Sequence, residues 1–156
     1  MAPKAKSSVE VTFDEVMRDI RALGSSPFIL IDRENTKQTG SLSKEQSEGV
    51  YVLEVVSEHS QTLPVGRYLV ARSKAKDAAD TLIMMLLYEA ARRTETQVIL
   101  VTRDHFGETL QGILKQIGLT IELSKEYPPS SITMSNCSIN NMSLDSGFLK
   151  NQWGEL

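Results

Sequence analysis

The sequence predicts an α/β fold with a mainly parallel sheet covered on both sides, and three observations carry that expectation. Apolar, β-branched runs alternate with segments of helical periodicity. Two of those runs, Phe28-Ile29-Leu30-Ile31-Asp32 and Val98-Ile99-Leu100-Val101-Thr102-Arg103-Asp104, are apolar and then break into an acid. Between them lies a long apolar helix that opens on Lys76-Asp77-Ala78-Ala79-Asp80. In an open α/β sheet, ligands bind just beyond the carboxyl ends of the strands. Three chain-distant acidic segments at such ends therefore point to one site.

The elements follow in order. Residues 1–11 read as a flexible, mildly basic tail. Thr12 with Glu15 three residues on makes a capping box, and Phe13, Val16, Ile20 and Leu23 share one helical face. A helix over 12–23 with a stop at Gly24 follows, and then a strand over 28–32. The polar stretch 36–49 contains a short helix around 43–48. Residues 50–56 and 67–71 are rich in β-branched and aromatic residues and read as strands. In 77–93, Ala79, Leu82, Ile83, Leu86, Leu87 and Ala90 form the helical stripe. Met84, Met85 and Tyr88 widen it, which predicts a largely buried helix. A strand over 97–102, a helix over 106–117 ending at Gly118, and a last short strand over 119–123 complete the pattern. The domain spans 12–127. Beyond Tyr127-Pro128-Pro129 the composition turns to Ser, Asn and Met. Residues 128–156 read as a tail, or as a clasp packing through Phe148, Leu149 and Trp153.

Composition narrows the function. At 156 residues the chain is sized for one domain with a real core. A net charge of −3 gives no general nucleic-acid-binding surface, although a local basic patch is what matters. Cys137 is the only cysteine, so no intramolecular disulfide forms, which fits a reducing, intracellular and cytoplasmic setting. No apolar run has the ~18 residues of a membrane span. There is no Walker loop, no Gly-rich dinucleotide fingerprint and no nucleophile elbow. One cysteine and two histidines do not make a structural zinc site.

The acids carry the candidate chemistry. Asp32 is the strongest candidate for a hard cation such as Mg²⁺, which prefers oxygen ligands. A strand-end Asp also serves as an ordinary turn former, but Glu34 and Asn35 beside it argue for more. Asp77 and Asp80 share one face of the helix start, where acids also complement the helix dipole. Asp80 leads straight into apolar residues, so it is the one expected to face a metal. Asp104 and Glu108 lie four apart and can face one cleft, with an N-cap Asp and an exposed Glu as the plain alternative. His105 is a weak candidate base, and His59 has no supporting pattern. Arg72, Lys74 and Lys76 lie in a basic stretch leading to Asp80. Such runs are usually solvated faces, but here they suit a phosphodiester backbone held beside the acids. Lys76 is the best placed.

These blocks resemble the PIN-like ribonuclease superfamily, in particular its NYN-type branch and related small PIN-like domains. Ile29-Leu30-Ile31-Asp32-Arg33-Glu34-Asn35 is similar to the family's opening strand, with an Asp and then an Asn three residues on. Lys76-Asp77-Ala78-Ala79-Asp80 resembles the segment where a Lys precedes a metal-binding Asp. Thr102-Arg103-Asp104-His105-Phe106-Gly107-Glu108 resembles the strand-end block of Ser or Thr, any residue, Asp, then an aromatic and a further acid. The likeness covers about 28–123. His105, the order of Phe106 and Gly107, and the longer acid at Glu108 depart from the pattern. The resemblance implies a Rossmann-like three-layer fold. It implies Mg²⁺- or Mn²⁺-dependent cleavage of RNA, single-stranded by expectation, with Asp32, Asp80 and Asp104 as metal ligands. Glu108 would be a fourth acid and Asn35 a helper that positions the metal or its water. The alternative is a catalytically weak or inactive PIN-like module for RNA binding or protein assembly. A homo-oligomer through the Leu- and Met-rich helix stays open.

Overall fold

The computed structural model describes residues 8–38, 40–93 and 95–132. The strands are β1 (Val9–Glu10), β2 (Phe28–Asp32), β3 (Lys37–Gln38), β4 (Tyr51–Ser57), β5 (Arg67–Ala71), β6 (Val98–Val101), β7 (Glu122–Ser124) and β8 (Glu126–Tyr127). The α-helices are α1 (Phe13–Arg21), α2 (Lys44–Glu48), α3 (Ala78–Ala91) and α4 (Phe106–Gln116), and a 3₁₀ turn spans Arg33–Asn35. Six strands form one sheet in the order β1-β5-β4-β2-β6-β7, and every pair is parallel. β3 and β8 make a separate two-stranded parallel ladder. The expected α/β, Rossmann-like parallel architecture is what the chain adopts.

β2 sits at the centre, with all five residues buried. A strand covered on both faces has no reason to alternate polar with apolar, which is why 28–31 reads as an unbroken apolar run. Its side chains divide between two cores. Phe28 and Leu30 join the larger one with Val16 and Ile20 of α1, Ile83, Leu86 and Leu87 of α3, and Leu110 and Leu114 of α4. Ile29 and Ile31 join a smaller core with Ile99, Val101, Tyr127 and Ile132, against which Leu42, Val50 and Val52 pack. One face thus carries three helices. Among the described residues the other carries the short α2 segment and the chain around β8. Right-handed crossovers account for this. β1 to β2, β5 to β6 and β6 to β7 all step one way across the sheet, and β2 to β4 steps the other way.

Helix ends follow local chemistry. Thr12 and Glu15 close a capping box at α1, and Ser43 and Gln46 close another at α2. Gly24 at φ +62° and Gly118 at φ +83° turn the chain away after α1 and α4 in the left-handed region that favours glycine.

Three expectations change. Val9 and Glu10, placed in the tail by sequence, form the edge strand β1 against Arg67 and Tyr68. Too short to show a period, the strand is fixed by its backbone bonds to β5. Met84, Met85 and Tyr88 do not extend the buried stripe of α3 and are 44, 50 and 43% exposed. A helix lying on a sheet buries one stripe, here Ile83, Leu86, Leu87 and Ala90. Pro129 and Ile132, expected in the C-terminal segment, are buried, and Ile132 belongs to the smaller core. Phe148, Leu149 and Trp153 lie outside the described residues. Among the described residues no helix is long and apolar enough to cross a membrane.

Candidate functional site

The carboxyl edge of the sheet is organised around Asp32, which is 2% exposed. Thr102 Oγ1, at the end of β6, donates to Asp32 Oδ2 at 2.8 Å, and Asn35 Nδ2 donates to the same oxygen at 3.0 Å. Asp32 Oδ1 is left without a donor among the described residues. Burial raises the Asp32 carboxyl above its ordinary range. The bonds from Thr102 and Asn35 oppose this, while Glu34 and Asp104 add to it.

The 3₁₀ turn that carries Asn35 is tied down on several sides. Thr36 Oγ1 bonds to the Asp32 carbonyl at 2.6 Å and the Val101 carbonyl at 2.9 Å. Arg103 N donates to the Asn35 carbonyl at 2.6 Å, joining the β2 turn to the loop after β6. Asp104 N donates to Thr102 Oγ1 at 3.1 Å. One threonine hydroxyl therefore connects both acidic segments. Thr102 belongs to the sequence motif, but no role was expected for it. A hydroxyl two residues before an acid at a strand end is the signal that marks it.

Asp80 comes from the first turn of α3. Its carboxyl is pushed up to about 6, first by burial and then by Asp32, Asp104, Asp77 and Glu34. The structure thus brings Asp32, Asp80 and Asp104 into one electrostatic neighbourhood from three distant segments. Glu34 belongs to it at the margin. Burial raises its carboxyl, but donors on Ser57 and Ser60 outweigh that and lower it.

Other candidates are not drawn in. Glu108 stands 68% exposed, 3.5 Å from His105 Nδ1, and it does not figure in the field at Asp32 or Asp80. Arg72 pairs with Glu10. Arg72, Lys74 and Lys76 are all exposed on the loop between β5 and α3. His59 is exposed in the loop after β4.

Among the described residues no group of three or more His, Cys, Asp or Glu side chains stands close enough together to hold a metal ion. The donor chemistry nonetheless fits a hard cation. Asp32, Asp104, Asp77 and Glu34 each raise the Asp80 carboxyl, and a cation would relieve that like-charge field. Mg²⁺ is commonly held by one or two carboxylates with several waters.

Two expected results arise here. Asp80 has a folded pKa above its ordinary value of 3.8. Its contribution to stability is fully present below 3.8 and is lost as pH rises through about 6. In metal-free buffer, Asp80→Asn should therefore match wild type at acid pH and gain in Tm relative to it across that window. A difference that does not change with pH would show that the carboxyl is not raised.

Gly107 is buried in the first turn of α4, and a Cβ there would stand 2.9 Å from Thr102 Cγ2. Thr102 is β-branched and holds Asp32, so it has little room to yield. Gly107→Ala should destabilise by about 1–3 kcal/mol in urea unfolding, despite the better helix propensity of Ala. Unchanged or raised stability would mean that the turn relaxes freely.

These features define a parallel α/β domain with a buried Asp32 at the carboxyl edge of its central strand, a half-buried Asp80 in the first turn of α3 and an exposed Asp104 after β6. No protein-family model matches the chain, and neither a curated protein nor a solved structure shows significant similarity to it.

Proposed function

We propose that the chain is a PIN-like ribonuclease that hydrolyses RNA phosphodiester bonds with Mg²⁺ or Mn²⁺. The observation that carries this reading is that Asp32 and Asp104, from distant segments, act together with burial to raise the Asp80 carboxyl to about 6. A bound divalent ion would relieve the repulsion among these acids and would supply Lewis-acid chemistry for phosphodiester hydrolysis. Asp32, Asp80 and Asp104 are the residues that would hold it. Thr102 and Asn35 keep the Asp32 carboxylate in one orientation through its Oδ2. Lys76 and Lys74 are exposed beside the start of α3 and serve as phosphate contacts. Arg72 serves in the same way on leaving Glu10.

The test is cleavage of a single-stranded RNA by the full chain with Mn²⁺ or Mg²⁺, repeated with Asp104→Asn. Cleavage that depends on metal and on Asp104 supports the reading. Activity that survives the substitution, or that needs no metal, defeats it.

The second reading is a catalytically inactive module for RNA binding or protein assembly. It is favoured by the absence of a closed three-carboxylate group among the described residues. Thermal shift with millimolar Mn²⁺ separates the two. No stabilisation together with no cleavage selects the module.

A further inference from the structure

The thinly covered face of the sheet holds a cavity of about 480 Å³. Ile31, Val50 and Val52 line it with apolar surface, and Arg33, Glu54 and Arg67 carry its charges. Arg33 follows Asp32 in sequence but points to this opposite side. Its Nε donates to Glu54 Oε1 at 2.8 Å. Glu54 Oε2 accepts from the amides of Val65 at 3.0 Å and Gly66 at 2.9 Å. Both oxygens of Glu54 are therefore engaged. The guanidinium is engaged only in part. The Arg33 side chain is only 5% exposed, and its buried Nη2 has no hydrogen-bond partner among the described residues.

A buried charged donor without an acceptor is costly to maintain. The charged groups lining the cavity sum to one positive, with two arginines against Glu54. A guanidinium nitrogen left unmatched is suited to take an oxygen of a carboxylate or phosphate. The apolar floor suits a body attached to that anion. Among the described residues the cover on this side is a five-residue α2 and a two-residue ladder.

We infer that this cavity binds a small molecule carrying one oxyanion, carboxylate or phosphate, on an apolar body, with Arg33 as its anchor. The site is independent of the nuclease reading.

The test follows the Arg33 Nε–H signal of the full chain by ¹H–¹⁵N NMR during titration with benzoate, phenyl phosphate and neutral benzamide. One of the two anions should shift that signal saturably and raise Tm, and benzamide should do neither. The anion that binds more tightly identifies the class. Calorimetric titration of two variants completes the test. Arg33→Lys keeps a charge opposite Glu54 but lacks the fork, and Val50→Phe fills the floor and leaves the ion pair alone. Each should weaken binding by roughly tenfold or more. No saturable shift with either anion, an equal response to benzamide, or unchanged affinity in both variants would overturn the inference.

Discussion

Asp32→Asn is expected to cut metal-dependent RNA cleavage by on the order of 10³-fold, the scale lost when one preorganised electrostatic group is removed from a reacting centre. The same variant should keep or raise the Tm of the metal-free protein. Both expectations come from the same burial. The Asp32 carboxyl is raised mainly by desolvation, so its ionised form opposes folding at neutral pH. An Asn at this position has the same shape, and its amide oxygen can accept from Thr102 Oγ1 and Asn35 Nδ2 as Oδ2 does. What it loses is the charge that a cation needs. Loss of activity with retained stability is therefore the signature of a functional acid. Parallel loss of both would instead make Asp32 a structural residue. Cleavage at the wild-type rate would remove the nuclease reading. Thr102→Val and Asn35→Ala act on Asp32 from outside and should cost less, about 10–100-fold. In Thr102→Val the Asp104 amide also loses its acceptor, so this variant should be the more damaging of the two.

The legible parts of the sequence are those where one local pattern had one physical cause. β2 and β6 were readable because strands buried on both faces are continuously apolar. α1 was readable from its capping box and the single face of Val16 and Ile20. Asp32 and Asp104 stand out in the sequence because each ends or follows such a strand, and Asp80 because it opens an apolar helix. The less legible parts depend on partners distant in sequence. Val9 and Glu10 become a strand only because β5 offers an edge. Met84, Met85 and Tyr88 continue the apolar character of α3, and periodicity does not tell which side meets the sheet. Glu108 lies one helical turn after Asp104, yet the direction of α4 carries it toward His105. Arg33 and Glu54 lie 21 residues apart in sequence, separated by β3 and α2. Nothing local in either segment announces the pairing.

That hidden pair gives the largest expected effect on stability. Glu54→Ala should destabilise the protein by about 3–5 kcal/mol in urea unfolding, the range for removing one partner of a buried ion pair. Arg33 is 6% exposed and Glu54 2%, so water does not replace the lost carboxylate. Three donors lose their acceptor together, namely Arg33 Nε and the amides of Val65 and Gly66. The damage is not confined to one strand. Glu54 lies in β4, Arg33 opens the turn between Asp32 and Asn35, and Val65 and Gly66 precede β5. Removing the carboxylate therefore loosens the turn that holds Asn35 to Asp32, and the Mn²⁺ response should weaken along with stability. Arg33→Met combined with Glu54→Leu removes both charges and retains most of the volume. It should recover much of the lost stability, because a buried pair contributes little over apolar packing. It leaves the Val65 and Gly66 amides without an acceptor, so recovery should fall short of wild type. A single Glu54→Ala variant within about 1 kcal/mol of wild type would show that the pair is solvated in solution, since exposed pairs contribute no more than that.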